Sequence, residues 1–306
     1  MPIIYSIAIC TYNRGSVIKH SIESALKLNF DKDKYEIIVV DNNSTDDTRQ
    51  IVEGYISSNT NIRIVEEKNQ GASFARNRAY NEARGEYIIY IDDDAEMCPD
   101  YLKNLESVIN EEEDVAAAGG PIEVGWLGAV PDWYEPDLDF VFNYLYIASY
   151  RIRVFYPRMI YGTNMVIKVS ILKKIGGFNT NLGPKKKHPL VGEDVEIILR
   201  IEKNEKKPIY YDPGLKVKHL ICPERLNQDY IIKKTEWHGR SQFIFENIHG
   251  IKVGYGLALW VLFQSCIRTL VGRGRGKISE KSYRSWSKGY MKQWWAHLWR
   301  RETYNK

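Results

Sequence analysis

Three consecutive carboxylates, Asp92, Asp93 and Asp94, have the clearest capacity for chemistry in this sequence of 306 residues. They follow the apolar run 86–91, which has the length and composition of a buried strand. Adjacent carboxylates repel one another, so a cluster at a strand end calls for a compensating cation. Hard oxygen ligands suit Mg²⁺ or Mn²⁺, which are usually shared with substrate phosphates. The alternative is a solvated acidic turn.

The elements that must position these carboxylates alternate between strand-like runs and helical patterns. Strands are predicted at 5–10, 36–40, 62–65 and 86–91, and helices at 17–28, between 47 and about 57, and at 72–84. This alternation predicts an α/β fold with a parallel sheet and helices on both faces, whose ligands bind at the carboxyl ends of the strands. Because segments 11–14, 41–43 and 92–94 fall at strand ends, we expect these polar clusters to converge on one crevice.

Composition and charge exclude several classes of protein. The apolar fraction of 44% and the charged fraction of 27% are ordinary for a globular chain, which excludes a disordered or collagen-like one. A net charge of +4 is too small to indicate a nucleic-acid-binding protein. The four cysteines form no CxxC pair, so neither a zinc site nor a disulfide framework is expected. With no signal peptide recognised, a cytoplasmic location is predicted.

The mild net charge conceals a division of the chain. Residues 226–306 contain 15 Lys and Arg against 5 Asp and Glu, a net charge of +10, and six of the eight Trp. Residues 1–225 have a net charge of −6. The sequence therefore predicts a mildly acidic catalytic domain at 1–225 and a basic, Trp-rich helical extension at 226–306.

Six segments resemble the signature segments of inverting family 2 glycosyltransferases and occur in that family's order. They are SIAICTYNR at 6–14, IVVDNNSTD at 38–46, NQGASFARN at 69–77, YIDDD at 90–94, GGFN at 176–179 and GED at 192–194. The resemblance extends over roughly residues 3–222. It implies the GT-A fold, which is Rossmann-like with a mostly parallel central sheet, and it implies nucleotide-sugar donors and a divalent Mn²⁺ or Mg²⁺.

The resemblance implies a set of nucleotide-binding residues. Thr11 and Tyr12 match the strand-end residues that hold the base, and an aromatic ring at this place can stack on it. Asp41 matches the carboxylate that accepts the uracil imide proton, which favours a UDP-linked donor; the alternative is a helix N-cap. Arg76 matches an arginine that contacts the nucleotide, with a surface-helix arginine as the alternative. Arg14 ends the first segment and is assigned to the same set.

The resemblance also assigns roles around the metal and the sugar. Asp92 resembles the residue that contacts the ribose, Asp94 resembles the metal ligand, and Asp93 supports them. His219, in the segment YDPGLKVKH, resembles a late histidine that binds metal or diphosphate, with a structural or exposed histidine as the alternative. Asn164 matches a segment that faces the donor sugar and the acceptor.

A general base is required because an inverting transfer deprotonates the acceptor hydroxyl while that hydroxyl attacks the anomeric carbon in line. The segment that begins at Gly192 matches the family's Glu-Asp element, so we assign Asp194 as the base and Glu193 as the residue that orients the acceptor. The alternative is an acidic first helical turn, which the helix dipole favours. Glu196 is expected on the solvated face of this helix.

The reaction is expected to transfer a single sugar. Processive synthases of this superfamily carry a Gln-x-x-Arg-Trp element after the base, and the nearest segment here, EWHGRS at 236–241, does not fit it. The acceptor is predicted to be a hydroxyl of a glycan or of a lipid-linked saccharide in surface polysaccharide or glycoconjugate synthesis. The alternatives are a non-catalytic nucleotide- or carbohydrate-binding scaffold and a sugar nucleotidyltransferase; the sequence lacks the latter's Gly-rich, basic first loop.

The basic extension contains an uncharged run that predicts contact with a membrane surface. Residues 253–267 carry no charge but number only 15, whereas a spanning helix needs about 20. Cations and tryptophans follow this run: Arg273, Arg275, Lys277, Trp286, Trp294, Trp295 and Trp299. Tryptophan prefers the membrane interface and Lys and Arg prefer its anionic surface. We expect in-plane binding through 250–306 at the cytoplasmic face, with packing on the domain or an oligomer interface as alternatives.

Overall fold

The computed structural model describes residues 2–185, 188–251, 254–270 and 277–304, with side chains described outside 186–189, 252–254, 264–276 and 298–306. The strands are β1 (Tyr5–Thr11), β2 (Tyr35–Asp41), β3 (Ile62–Glu66), β4 (Tyr87–Asp92), β5 (Ala95–Met97), β6 (Ala117–Gly119), β7 (Ile122–Trp126), β8 (Ile152–Arg153), β9 (Asn164–Lys168), β10 (Pro184–Lys185), β11 (His188–Pro189), β12 (Ile209–Tyr211) and β13 (Val217–Ile221). The α-helices are α1 (Ile18–Leu26), α2 (Thr48–Ile56), α3 (Ala72–Glu82), α4 (Tyr101–Glu111), α5 (Val169–Ile175), α6 (Glu193–Glu205), α7 (Gln228–His249), α8 (Gly254–Leu270) and α9 (Ile278–Tyr304).

The central sheet has eight strands in the order β3-β2-β1-β4-β9-β6-β12-β8. Strands β3, β2, β1 and β4 are mutually parallel, as the alternation of strands and helices predicts. Strand β9 is antiparallel to both of its neighbours, and β8 is antiparallel to β12. The predicted α/β class with a central sheet and C-terminal helices is confirmed, and the antiparallel direction of β8 and β9 is what local pattern did not predict.

Helices cover both faces of the parallel half, which is why β1, β2 and β4 each contain a continuous run of apolar residues. On one face, Ile7 and Ile9 of β1 join a buried cluster with Ile22 of α1. On the other face, the Tyr90 hydroxyl donates a hydrogen bond to the backbone oxygen of Arg76 in α3 at 3.1 Å. The opposite placement of α1 and α3 follows from right-handed crossovers, because the chain moves outward from β1 to β3 and then returns to β4.

The register of these strands places the polar strand ends side by side. Thr11 pairs with Asp41 on one flank of β1, and Cys10 pairs with Asp92 on the other flank. A second sheet, in the order β5-β13-β7, adds His219, which pairs with Ala95 directly after the acidic run. The predicted convergence of the strand-end segments is therefore present in the backbone itself.

The described residues group into two compact units. The first lies within Met1–Gly125, Asn143–Lys186 and Glu193–Leu220, and the second lies within Trp126–Phe142, Lys187–Gly192 and Ile221–Lys306. The first unit contains the central sheet and the second contains the three C-terminal helices. The domain boundary placed at residue 225 from composition remains a prediction.

Two glycines allow α7 and α9 of the second unit to pack backbone against backbone. A Cβ atom on Gly239 would overlap the carbonyl oxygen of Trp286, and one on Gly289 would overlap the carbonyl oxygen of Glu236. Each helix thus contributes a glycine to the crossing. Any larger side chain at either position requires the helices to separate.

Helix α8 packs on this helix pair with a small apolar core of Phe243, Ala258 and Tyr290. None of the described helices combines the length and the apolar character needed to cross a bilayer. The predicted interface residues Arg273 and Arg275, and the side chain of Trp299, lie outside the part of the chain that the structure describes.

Candidate active site

Three potential metal ligands meet where β4 ends and β13 passes beside it. One ligand atom each from Asp92, Asp94 and His219 lies within 4.8 Å of the others. His219 Nε2 is 3.1 Å from Asp94 Oδ1, and both side chains are almost fully buried, whereas the Asp92 side chain is 31% exposed. The backbone amide of Leu220 donates to the Asp94 carbonyl at 2.7 Å and fixes the two segments to each other. The cluster therefore has a buried floor and one accessible carboxylate.

Arg14 supplies positive charge to the acidic run from the end of β1. Its Nε lies 3.5 Å from Asp93 Oδ1, and its Nη2 lies 3.2 Å from Asp94 Oδ2. Burial and the adjacent Asp94 nevertheless raise the pKa of Asp93 well above its ordinary value, although Arg14 acts in the opposite direction. The cluster thus retains an excess of negative charge even with its arginine in place.

The chemistry of this donor set fits a divalent ion. Carboxylate oxygens are the ligands that Mg²⁺ and Mn²⁺ prefer, and an imidazole nitrogen is acceptable to Mn²⁺. Asp92, Asp94 and His219 provide two carboxylates and one imidazole at mutual distances that one ion can span. Asp94 and His219 were both predicted as ligands from the sequence, and Asp92 joins them.

Asp194, the predicted base, lies in the first turn of α6 and is half-buried. Its Oδ2 accepts a hydrogen bond from the backbone amide of Gly162 at 2.7 Å, and its Oδ1 accepts one from the amide of Val195 at 2.8 Å. The next residue, Thr163, donates its hydroxyl to Asp92 Oδ2 at 2.6 Å. Consecutive residues of one segment therefore hold the predicted base and the exposed carboxylate of the metal cluster.

Gly162 is required at this place because its neighbours approach closely. A Cβ atom there would lie 2.6 Å from Arg76 Nη2 and 3.2 Å from Asp194 Cβ. Contacts this short force the neighbours to move, and Arg76 is itself held by other carboxylates. Only a residue without a side chain leaves space for the arginine and the aspartate together.

Arg76 is buried and forms an ion pair with Glu193. Its Nη2 also lies 3.6 Å from Asp92 Oδ1, and its guanidinium sits 5.7 Å from the ring centre of Phe178. Burial opposes the charge, but Glu193 and the other nearby carboxylates raise the pKa of Arg76 further above its ordinary value, so it stays protonated. Burial also raises the pKa of Glu193, against the attraction of Arg76.

The structure gives Arg76 a different position from the surface-helix arginine considered as an alternative. Only 8% of the residue is exposed, and its charge is directed toward the carboxylates of α6 and β4. The contact with a nucleotide that the resemblance implies remains a prediction.

The predicted base-binding residues lie around the ends of β1 and β2. Asp41 is buried, and its Oδ1 accepts a hydrogen bond from the backbone amide of Ser44 at 2.9 Å. Its Oδ2 lies 4.0 Å from Arg49 Nη1. Thr11 is also buried, and Tyr12 is half-buried beside it. Asp41 thus caps the turn after β2 rather than a helix, since α2 begins at Thr48, and its contact with a base remains a prediction.

Asn164 occupies the sheet interior. It is fully buried, its Oδ1 accepts the Tyr101 hydroxyl at 2.6 Å, and its Nδ2 donates to the carbonyl of Leu215 at 2.6 Å. The structure therefore does not bring Asn164 to the crevice. Its neighbour Thr163 reaches the cluster instead, and sequence reasoning missed it although it lies in the segment that was singled out.

The expectation for Glu196 is wrong. It was assigned to the solvated face of α6, but it is only 3% exposed. Its carboxylate accepts hydrogen bonds from Arg200 at 3.1 and 2.8 Å, and Arg200 also donates to the carbonyls of Ile175 and Gly177. That face of α6 packs against the end of α5, so its charged residues are paired rather than solvated.

The strand-end acidic cluster and the mixed sheet are typical of nucleotide-sugar enzymes, and the comparisons with known proteins identify the class as a GT-A glycosyltransferase. Residues 6–176, more than half of the chain, match the family model described as Glycosyl transferase family 2. The chain therefore belongs to glycosyl transferase family 2, and it is a glycosyltransferase, as the signature segments predicted.

Individual relatives agree with this assignment. The chain is 21% identical over 251 residues to the glucosyl-dolichyl phosphate glucuronosyltransferase of Haloferax volcanii, which covers 80% of this chain and 78% of the relative. It is 34% identical over 108 residues to the poly(ribitol-phosphate) beta-N-acetylglucosaminyltransferase TarS of Staphylococcus aureus, which covers 35% of this chain but only 19% of TarS.

A solved structure supports the fold over almost the whole chain. The mannosyltransferase PcManGT of Pyrobaculum calidifontis, in complex with GDP-Man and Mn²⁺, matches with a TM-score of 0.64 at 18% identity. The match covers 97% of this chain and 90% of that one. The predicted GT-A fold is confirmed.

Proposed function

We propose that this glycosyltransferase moves one sugar, with inversion at the anomeric carbon, from a UDP-linked donor to a hydroxyl of a lipid-linked or glycan acceptor, using Mn²⁺ or Mg²⁺. One observation carries the proposal. The adjacent residues Gly162 and Thr163 hydrogen-bond to Asp194 and Asp92, which ties the proposed base to the proposed metal cluster through a single peptide unit. Inverting transfer needs such proximity because base, acceptor and leaving group must act in line.

In this mechanism Asp92, Asp94 and His219 would hold the divalent ion, which would stabilise the negative charge of the departing nucleoside diphosphate. Asp194 accepts the proton of the acceptor hydroxyl on one of its carboxylate oxygens. The hydrogen bond from the Gly162 amide keeps this carboxylate oriented. Glu193, paired with Arg76, orients the acceptor and remains fixed at the start of α6. No covalent intermediate with the chain is needed.

The choice of UDP rests on Asp41. By resemblance, Asp41 matches the carboxylate that accepts the uracil imide proton; its Oδ1 already accepts the Ser44 amide, and its Oδ2 lies 4.0 Å from Arg49 Nη1. PcManGT, with GDP-Man, has the same fold, so the fold alone does not select the base. The proposal therefore predicts tighter binding of UDP than of GDP.

The lipid-linked acceptor is supported by the relative that matches most of the chain. Its name describes transfer to a glucosyl-dolichyl phosphate, which is a sugar carried on a lipid phosphate. The lack of a Gln-x-x-Arg-Trp element after Asp194 supports transfer of one sugar rather than polymerisation. We further propose peripheral association of 250–306 with the cytoplasmic face of the membrane.

Calorimetric titration tests the proposal directly. UDP and GDP are titrated into the full chain with Mn²⁺, with Mg²⁺ and with a chelator, and a hydrolysis screen of nucleotide sugars then identifies the donor. We expect UDP binding that requires the metal and exceeds GDP binding. Nucleotide binding that is unchanged by the chelator would contradict metal dependence, and a chain that binds no nucleotide would be a scaffold rather than the proposed enzyme.

A further inference from the structure

Helix α8 exposes a continuous apolar surface. Tyr255, Leu257, Leu259, Trp260 and Phe263 are between 38% and 58% exposed, while Ala258 on the opposite side is fully buried. On a helical wheel the five exposed side chains occupy one broad arc, since each residue turns the helix by about 100°. Residues 254–267 contain no charged residue at all. This surface, which we call the α8 apolar face, is far more hydrophobic than an ordinary solvent-facing helix.

The exposed side of α9 is instead a row of cations. Positions that share this side recur at intervals of three or four residues, and those before Trp295 are all Lys or Arg: Lys277, Lys281, Arg284, Lys288 and Lys292. Arg284 is half-buried and the four lysines are exposed. Lys292 also contacts Glu236 at 2.8 Å, yet its side chain remains 57% exposed. We call this row the α9 basic stripe.

Aromatic rings connect the two surfaces. Tyr255 of α8 lies 5.3 Å from Trp294 of α9, and Trp294 lies 5.3 Å from Trp295, measured between ring centres. Trp295 is 63% exposed and ends the described part of the basic stripe. The apolar face and the cations are therefore contiguous at an exposed aromatic residue.

We propose that the α8 apolar face and the α9 basic stripe dock the chain onto a bilayer that contains anionic lipids, with α8 lying in the plane of the interface. The proposal builds on the lipid-linked acceptor proposed above and identifies the residues that reach the lipid. Leu and Phe side chains enter the acyl boundary, tyrosine and tryptophan rings suit the headgroup level, and the lysines attract anionic headgroups.

Charge complementarity selects this occupant over a second copy of the chain. An isologous dimer through the α8 apolar face would pair like patches and would offer the adjoining basic stripe no surface of opposite charge. An anionic lipid surface satisfies both the apolar face and the stripe at once. Since α8 has 17 residues, it is too short to span a bilayer, and an in-plane position accommodates it.

Co-sedimentation with vesicles is the primary test. The full chain is mixed with vesicles of phosphatidylcholine alone, or of phosphatidylcholine with about one third phosphatidylglycerol, which gives a clearly anionic surface. We expect partitioning to be at least roughly tenfold stronger on the anionic vesicles and to fall as salt is raised. No binding to anionic vesicles would overturn the proposal.

Paired variants separate the two surfaces. Leu257→Ser with Phe263→Ser should weaken binding to every vesicle roughly tenfold or more, because two large apolar side chains no longer leave water. Lys281→Gln with Lys288→Gln should instead remove most of the preference for anionic lipid. Phe155→Ser, and Lys32→Gln with Lys173→Gln, are matched controls on exposed residues of the sheet-containing unit and should bind as the parent does.

A depth measurement identifies the contacting residues. Brominated lipids should quench tryptophan fluorescence, and Trp260→Phe with Trp295→Phe should remove most of that quenching. Circular dichroism of every variant confirms that the helices persist. If α8 variants convert a dimer to a monomer in gel filtration and leave vesicle binding unchanged, the face joins two copies and the lipid proposal is wrong.

The outcome is independent of the catalytic proposal. UDP titration with Mn²⁺ on the Leu257→Ser, Phe263→Ser variant should match the parent, because these residues lie outside the sheet-containing unit that carries the site. Vesicle binding without nucleotide binding would overturn the proposed function alone, and nucleotide binding without vesicle binding would overturn the docking surface alone.

Discussion

Arg76 and Glu193 are 117 positions apart in the chain and form a buried ion pair between α3 and α6. The pair lies beside Asp92, whose Oδ1 is 3.6 Å from Arg76 Nη2, and its Glu193 directly precedes Asp194 in the chain. It connects the acidic end of β4 to the helix that carries the proposed base. We therefore expect a substitution of Arg76 to impair the proposed base, Asp194, more than it impairs nucleotide binding.

We predict that Arg76→Gln lowers kcat on the order of 100-fold while the affinity for UDP and Mn²⁺ changes only a few-fold. The neutral side chain leaves Glu193 buried without its partner, and small displacements of a catalytic group have effects of this size. Steady-state kinetics and calorimetry measure the two quantities. Arg78→Gln, an exposed residue of the same helix, is the matched control and should change neither. Equal losses of kcat and UDP affinity would instead make Arg76 a nucleotide contact.

Substitutions of Asp94 and Asp194 should both abolish transfer but should affect nucleotide binding differently. Asp94→Ala should abolish transfer and also metal-dependent nucleotide binding, because it removes a carboxylate from the metal cluster. Asp194→Asn should abolish transfer and leave nucleotide binding close to that of the parent, because the amide preserves the shape but accepts no proton. Near-normal turnover by either purified variant would refute the corresponding assignment.

Acid should destabilise the first unit through Glu36. This carboxylate is 1% exposed, and hydrogen bonds from Arg84, Ser6 and Arg63 lower its pKa although burial acts the other way. A lowered folded-state pKa means that the stabilisation is present above the unfolded pKa of about 4.3 and is lost as the pH falls through the folded-state value.

We therefore expect Glu36→Gln to reduce the free energy of unfolding by about 2 kcal/mol at pH 7, since it removes the charge of a buried carboxylate that accepts hydrogen bonds from two partly exposed arginines. The difference from the parent should shrink as urea titrations are repeated from pH 6 down to pH 3. Glu53→Gln, on an exposed carboxylate paired only at the surface of α2, serves as the control. A difference that stays constant with pH would show that the pKa of Glu36 is the same in the folded and the unfolded chain, so that its ionisation does not stabilise the fold.

The helix crossing in the second unit should be intolerant of a single methyl group. Gly239→Ala places a Cβ against the Trp286 carbonyl, and the helices must separate, at a cost of about 2 kcal/mol. Hydrogen exchange of α7 and α9 amides measures the loss. Gly256→Ala on α8 meets no atom within 4 Å and should be neutral or stabilising, because alanine favours helix. Equal exchange in the two variants would show that the crossing is not tightly packed.

The local sequence was enough to predict where the polar strand ends lie. The apolar run 86–91 became β4 at Tyr87–Asp92, and the helix predicted to open at Gly192 begins at Glu193. Parallel strands must end at a common edge, so the convergence of Thr11, Asp41 and Asp92 followed from pattern alone.

The parts that sequence reasoning missed depend on contacts between distant segments. Thr163 reaches Asp92 and Glu196 is buried because β9 enters beside β4 and α6 packs on α5, and neither event leaves a local periodicity. The burial of Arg76 is of the same kind, since its partner lies in another signature segment. The local sequence around a charged helical residue does not indicate whether another element of the fold will pack against its side of the helix.

The register of β1 with its two neighbours fixes a distance that any ligand of the site must span. Asp41 and Asp92 flank the end of β1 on opposite sides, through the pairs Thr11–Asp41 and Cys10–Asp92. Neighbouring strands are about 4.8 Å apart, so the two backbones are held roughly 10 Å apart whatever side chains surround them. Any ligand that contacts both carboxylates must therefore extend across the full width of β1.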